Sequence, residues 1–131
     1  MKNIEIVRGY RSFGHEDVYA SDPAVTVVEG DVIDQDGALV TLSGAVTHKE
    51  CGMVIERNMI NGQPKDSGKS PVYVSNFVVR TSRYTPAVYA VNDPITVTAG
   101  LLAKGTVGTD AIWGYVTAIN TDDTIDVRCN Y

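Results

Sequence analysis

Histidine and cysteine are scarce in this 131-residue chain, with two of each. Cys51 and Cys129 stand far apart in the sequence, without a Cys-x-x-Cys spacing or a neighbouring His to complete a zinc set. Two thiols buried in a core are therefore expected, and no metal or other cofactor. A Ser–His–Asp site would have to use Ser12, His15 and Asp17, which crowd into one short segment. Nucleophile, base and orienter must converge from separately fixed elements, so no enzymatic activity is expected. Long apolar runs are missing too. No stretch approaches the roughly 18 residues of a membrane span, and Met1-Lys2-Asn3-Ile4-Glu5 lacks the run of a signal peptide. The expectation is synthesis in the cytoplasm and no membrane partner. Positive charge is both sparse and scattered, with 11 Lys and Arg against 16 Asp and Glu and a net charge of -5. Phosphate recognition needs a concentrated basic surface, so no direct nucleic-acid contact is expected. Helical periodicity is the last absence: no window of a dozen residues keeps a helical repeat free of Gly and Pro, and the best candidate, residues 46–50, is too short to matter.

What is present is β pattern. A composition of 44% apolar and 21% charged residues suits one compact domain, or two small β units sharing a core. Short β-branched segments recur at residues 24–28, 38–42, 71–74, 77–79, 95–98, 114–119 and 124–128. Turn formers separate them, among them Glu29-Gly30-Asp31, Asp36-Gly37, Asn61-Gly62, Asn92-Asp93-Pro94 and Thr121-Asp122-Asp123. Residues 1–23 differ: their strand-like piece at residues 4–7 is followed by Arg8-Gly9-Tyr10-Arg11-Ser12-Phe13-Gly14. Such a segment buries little by itself, so it is expected as an N-terminal arm ahead of a β domain over residues 24–131. Residues 61–70 have the composition of an exposed loop.

An internal repeat organises the β domain. Placing Gly30-Asp31-Val32-Ile33 over Asn92-Asp93-Pro94-Ile95 sets one offset, which without a gap also aligns Leu39 with Leu101, Gly52 with Gly114, Val54 with Val116 and Asn58 with Asn120. Closing up the 61–70 loop lays Val72-Tyr73-Val74 over Ile125-Asp126-Val127. Two similar β units, about 30–80 and 92–128, are expected to pack together.

The chemical motifs are weak. Gly62-Gln63-Pro64-Lys65-Asp66-Ser67-Gly68-Lys69-Ser70 imitates a phosphate-binding loop, but its glycine is one position early and Pro71 opens a strand where a helix N-terminus is needed. Asp31, Asp34 and Asp36 before Gly37 suggest a calcium loop without its bidentate Glu or full spacing, so a turn with solvated carboxylates is expected. Trp113 is assigned to the core. Arg80, Arg83, Tyr84 and Tyr89 are assigned to a protein interface, because Arg and Tyr dominate binding hot spots. Ile4, Ile6, Tyr10, Phe13 and Tyr19 join them as apolar and aromatic groups of the arm, denser than an idle tail would carry.

Read in order, Asn92-Asp93-Pro94-Ile95-Thr96-Val97, Gly100-Leu101-Leu102, Ile112-Trp113-Gly114-Tyr115-Val116 and Asp123-Thr124-Ile125-Asp126-Val127-Arg128 resemble the turns and strands of the capsid decoration ("cement") proteins of tailed bacteriophages. Residues 30–74 match more loosely, and the likeness spans about residues 24–131. The resemblance implies a β-barrel or β-sandwich. With the strand pattern, the repeat and the N-terminal segment, the expected fold is all-β, a small β-barrel or β-sandwich of two similar β units with an extended N-terminal arm. The leader and the 61–70 loop depart from the family's simplest pattern. The resemblance also implies a trimer on the virion surface that bridges major capsid proteins without catalysis. The alternative is a small β-barrel module that binds a ligand or a protein.

Overall fold

The computed structural model describes residues 4–9, 16–20, 27–42, 50–54, 59–60, 63–64, 69–74 and 77–129. Among them every regular element is a strand. In chain order these are β1 (Ile4–Gly9), β2 (Glu16–Ala20), β3 (Val32–Asp34), β4 (Cys51–Val54), β5 (Met59–Ile60), β6 (Gln63–Pro64), β7 (Lys69–Tyr73), β8 (Phe77–Thr81), β9 (Pro94–Thr98), β10 (Leu101–Lys104), β11 (Gly114–Ile119) and β12 (Ile125–Cys129). They form a six-stranded sheet in the order β1-β8-β12-β11-β9-β10, a four-stranded sheet in the order β2-β7-β4-β3, and the β5-β6 pair. Each sheet runs from one edge strand to another, and none closes into a barrel.

Period-2 alternation explains how both sheets share one core. On β8, Phe77, Val79 and Thr81 are fully buried while Arg80 is half-buried; on β11, Val116 is buried while Tyr115 and Thr117 are exposed. The six-stranded sheet contributes Phe77, Val79, Ile95, Val97, Leu102, Val116 and Val127 to this core, and the four-stranded sheet contributes Val32, Cys51 and Met53. Trp113 lies in it at 1% exposure, edge-on to Phe77 with ring centroids 5.7 Å apart. Both cysteines are buried there. The alternate residues of the four-stranded sheet, Ile33, Val54 and Val72, join Val27 in a second, smaller core. β3 and β4 are thus buried on both faces through Val32, Ile33 and Cys51 to Val54, a continuous rather than alternating pattern.

The offset of the sequence repeat recurs in the backbone. Gly30 N–H donates to Val54 O, and Asn92 N–H to Val116 O; Val54 N–H donates to Asp31 O, and Val116 N–H to Asp93 O. The Asp31 carboxylate accepts from Val28 N–H and the Asp93 carboxylate from Ala90 N–H. Ile33 sits opposite Gly52 as Ile95 sits opposite Gly114. The final strand departs from the expected alignment. Val72 lies beside Val54 and Val127 beside Val116, so Val72 corresponds to Val127 and not to Ile125. A strand keeps the face of its side chains under a slip of two positions, so hydrophobic pattern alone does not separate these registers.

Strands occur in the N-terminal segment, where a strand-like piece was expected at residues 4–7, and in the stretch expected to be an exposed loop. In residues 1–23, β1 pairs antiparallel with β8 and β2 antiparallel with β7 of the same chain, and Ile4 is 3% exposed within the main core. In the expected 61–70 loop, β5 and β6 pair with Ile60 opposite Gln63, so Asn61-Gly62 links them, and Lys69 and Ser70 open β7.

Candidate functional site

The expected interface residues fall into three groups. Ile4 is in the core, Ile6 stands opposite Val79 on β1, and Tyr19 stands opposite Ser70 on β2. Tyr10 and Phe13 lie outside the described residues. Arg80, Arg83, Tyr84 and Tyr89 come together at the end of β8 and in the segment that follows it, where their polar ends are engaged within the chain.

Arg80 on β8 meets Asp126 on the adjacent strand β12, with Nε 2.8 Å from Oδ1 and Nη2 3.1 Å from Oδ2. This fork-to-fork geometry is the strongest that a guanidinium and a carboxylate form. Asn120 adds a third bond, donating from Nδ2 to Asp126 Oδ1 at 2.9 Å. The Arg80 hydrogen bonds, opposed by partial burial, hold the Asp126 carboxyl below its usual range. Arg83 reaches to Asp31 with 2.6 Å between Nη2 and Oδ1, joining the first turn of the repeat to the end of β8. Its Nε is buried without a hydrogen-bond partner. The three carboxylates considered as a calcium loop are thereby accounted for in part: Asp31 faces Arg83, and Asp34 Oδ1 accepts from Asp36 and Ala38 N–H to shape the turn. Among the described residues no three His, Cys, Asp or Glu side chains form a group suited to a metal ion.

Tyr84 and Tyr89 pack edge to face, 5.2 Å between centroids, against the main core. Tyr84 donates its phenol hydrogen to Asp123 O at 2.6 Å, and Tyr89 donates to Thr85 O at 2.8 Å. Burial and the nearby Asp123 raise the Tyr84 phenol above its usual pKa.

The segment that holds Tyr89 also carries a surface feature that residue type alone did not single out. Between Thr85 and Asn92 the chain exposes Pro86, Ala87, Val88, Ala90 and Val91, with Val88 at 85% exposure and Val91 at 52%. The loop is clamped from below. Lys104 Nζ on β10 donates to Val88 O at 2.6 Å and lies 3.3 Å from Asp93 Oδ2, while Asp93 caps Ala90 N–H. That backbone hydrogen bond, followed by Lys104, lowers the Asp93 carboxyl pKa. The charges next to the loop are thus turned on one another, leaving its outer surface apolar. The signal available in the sequence was Pro86-Ala87-Val88-Tyr89-Ala90-Val91, an apolar run without alternation bounded by Pro and Asn-Asp. Comparison with family models, curated proteins and solved structures finds no match to this chain.

Proposed function

We propose that this chain is a non-enzymatic structural protein of a tailed-phage virion, bound to the outer face of the capsid, where it stabilises the shell by bridging major capsid proteins. The observation that carries the reading is the clamped 86–91 loop. An apolar surface already held by hydrogen bonds to Lys104 and Asp93 has less conformational freedom to lose when a partner covers it, so less of the gain from burying Val88 and Val91 is spent on ordering the loop. The two sheets sharing a core fit the sandwich form of such a protein, and β1 and β2, which belong to the expected arm, end their sheets among the described residues. A trimer suits the role, because several weak contacts held together bind a repeating shell with avidity. Binding only the assembled shell stabilises it by mass action.

The test is to mix the purified chain with expanded phage heads lacking decoration and to measure co-sedimentation and the temperature of head disruption. Saturable binding and a raised disruption temperature are expected. Val88→Asp with Val91→Asp should abolish retention on heads and leave the melting temperature of the free protein unchanged. A wild-type chain that stays in the supernatant at all concentrations overturns the proposal.

A further inference from the structure

Of the large apolar side chains left exposed among the described residues, three valines are held at one end of the larger sheet. Val88 and Val91 belong to the clamped loop ahead of β9, and Val107, 68% exposed, follows β10. Lys104, the last residue of β10, links the two loops. Its Nζ holds Val88 O, and the next residue, Gly105, donates its N–H to Pro94 O at the start of β9. The turn that carries Val107 is closed on itself: Thr106 O accepts from Thr109 and Asp110 N–H, and Asp110 Oδ2 accepts from Thr106 N–H.

The repeat is a control on what the fold itself requires. By its offset Tyr89 corresponds to Val27 and Ala90 to Val28. These pairs behave alike: Tyr89 and Val27 each pack on a core, and Ala90 and Val28 each donate N–H to the carboxylate of their turn. Val88 and Val91, however, correspond to Thr26 and Glu29. The first unit thus builds its turn with polar residues at the positions where the second has exposed valines, so turn formation does not account for them.

We propose that Val88, Val91 and Val107 form one contact surface, single in each chain, and that its occupant is an uncharged apolar recess of the major capsid protein. The inference rests on the capsid reading and adds to it the second loop and the chemistry of the partner's face. Two features choose this occupant. Every charged side chain of residues 85–93 and 104–111 is bonded within those segments: Lys104 to Asp93, Asp93 to Ala90 N–H and Asp110 to Thr106 N–H. A charged partner face would lose its water there without gaining a new pair. A second copy is disfavoured by size, because three valines and the small residues between them fall well short of the roughly 800 Å² that each partner buries in a stable pair. The same small contact repeated over a shell gains avidity.

The experiment measures retention of the full chain on undecorated heads. Val107→Asp and, separately, Val88→Thr with Val91→Glu, the residues of the first unit, should each weaken retention roughly tenfold or more. The melting temperature of the free chain should not change in either variant. Wild-type retention should hold as salt is raised, because an apolar contact is not screened. Val107→Asp retained as tightly as wild type removes the second loop and overturns the inference, with the capsid reading intact. Retention that falls steeply with salt overturns it by assigning a charged face to the partner. A lowered melting temperature in the Thr26-and-Glu29 replacement pair at 88 and 91 would show that the valines serve the fold and also overturns it. Self-association of the free chain that Val107→Asp abolishes would give the surface to a second copy and reject the capsid recess. A wild-type chain that binds no heads overturns the capsid reading and this inference together.

Discussion

Among single residues, Asp126 is the clearest link between local geometry and solution behaviour. Its carboxyl is held below the ordinary 3.8 chiefly by the Arg80 hydrogen bonds. As pH falls, the unfolded chain therefore takes up this proton before the folded one. The stabilisation is complete above the ordinary value and is lost as pH drops through the lowered folded value. Because Arg80 keeps 37% of its side chain exposed, solvent screens the pair. Asp126→Asn should cost about 1 kcal/mol at neutral pH and flatten the acid limb of melting temperature against pH; an unchanged acid limb would show that other carboxylates control it. Gly114 makes a steric point. A Cβ there would overlap the Arg128 carbonyl oxygen of β12, and a backbone atom in a sheet does not move aside cheaply. Gly114→Ala should destabilise by about 1–3 kcal/mol in urea unfolding. The sequence marked Gly114 through the repeat, without showing the close approach. It marked Arg80 and Arg83 by type, whereas their carboxylate partners lie 46 and 52 residues away, a separation that composition does not bridge.

The turns that open β3 and β9 show how two elements of one design tolerate different residues. Gly30 has φ +98° and Asn92 φ +74°, and they donate to the equivalent carbonyls of Val54 and Val116. Only the first is closed in: a Cβ at Gly30 would lie 2.8 Å from Arg83 Cγ and from Ile4 Cγ2. Gly30→Asn should therefore cost about 1–3 kcal/mol, while Asn92→Gly should stay within about 0.5 kcal/mol. Asn92→Ala should lose about 1 kcal/mol from the left-handed backbone alone. Equilibrium denaturation of the three variants checks the order, and equal losses at both turns would refute the packing explanation. At this scale the sequence was most legible, because turn chemistry and β-branched runs are local. The register of β7 against its counterpart was less so, since the insertion that carries β5 and β6 changes the spacing ahead of the last strand. β2 was missed because Glu16-Asp17-Val18-Tyr19-Ala20 has no strong alternation, and its place is set by β7, which comes much later in the chain.

For the molecule as a whole, the N-terminal segment decides whether the β body is self-sufficient. Composition set residues 1–23 apart because they hold too few apolar groups for a core of their own. What composition does not reveal is that such a segment gains burial from a sheet assembled much later in the chain. Ile4 sits in the main core, opposite Thr81, and its Cγ2 approaches the Gly30 turn. Its burial alone is worth about 2–3 kcal/mol, to which the β1–β8 ladder adds. Deleting residues 1–9 removes that contribution and bares the edge of β8, whose Phe77-Val78-Val79 run is buried in the intact fold. An apolar edge of this kind invites strand addition from other molecules. The truncated chain should therefore melt roughly 10 °C lower than the full chain and aggregate at concentrations where the full chain is clear. Differential scanning calorimetry with light scattering measures both. An unchanged melting temperature would return the segment to the role of a detachable arm, with its burial supplied by a neighbour; a lowered one makes β1 part of the body, and leaves only its outer edge for partners.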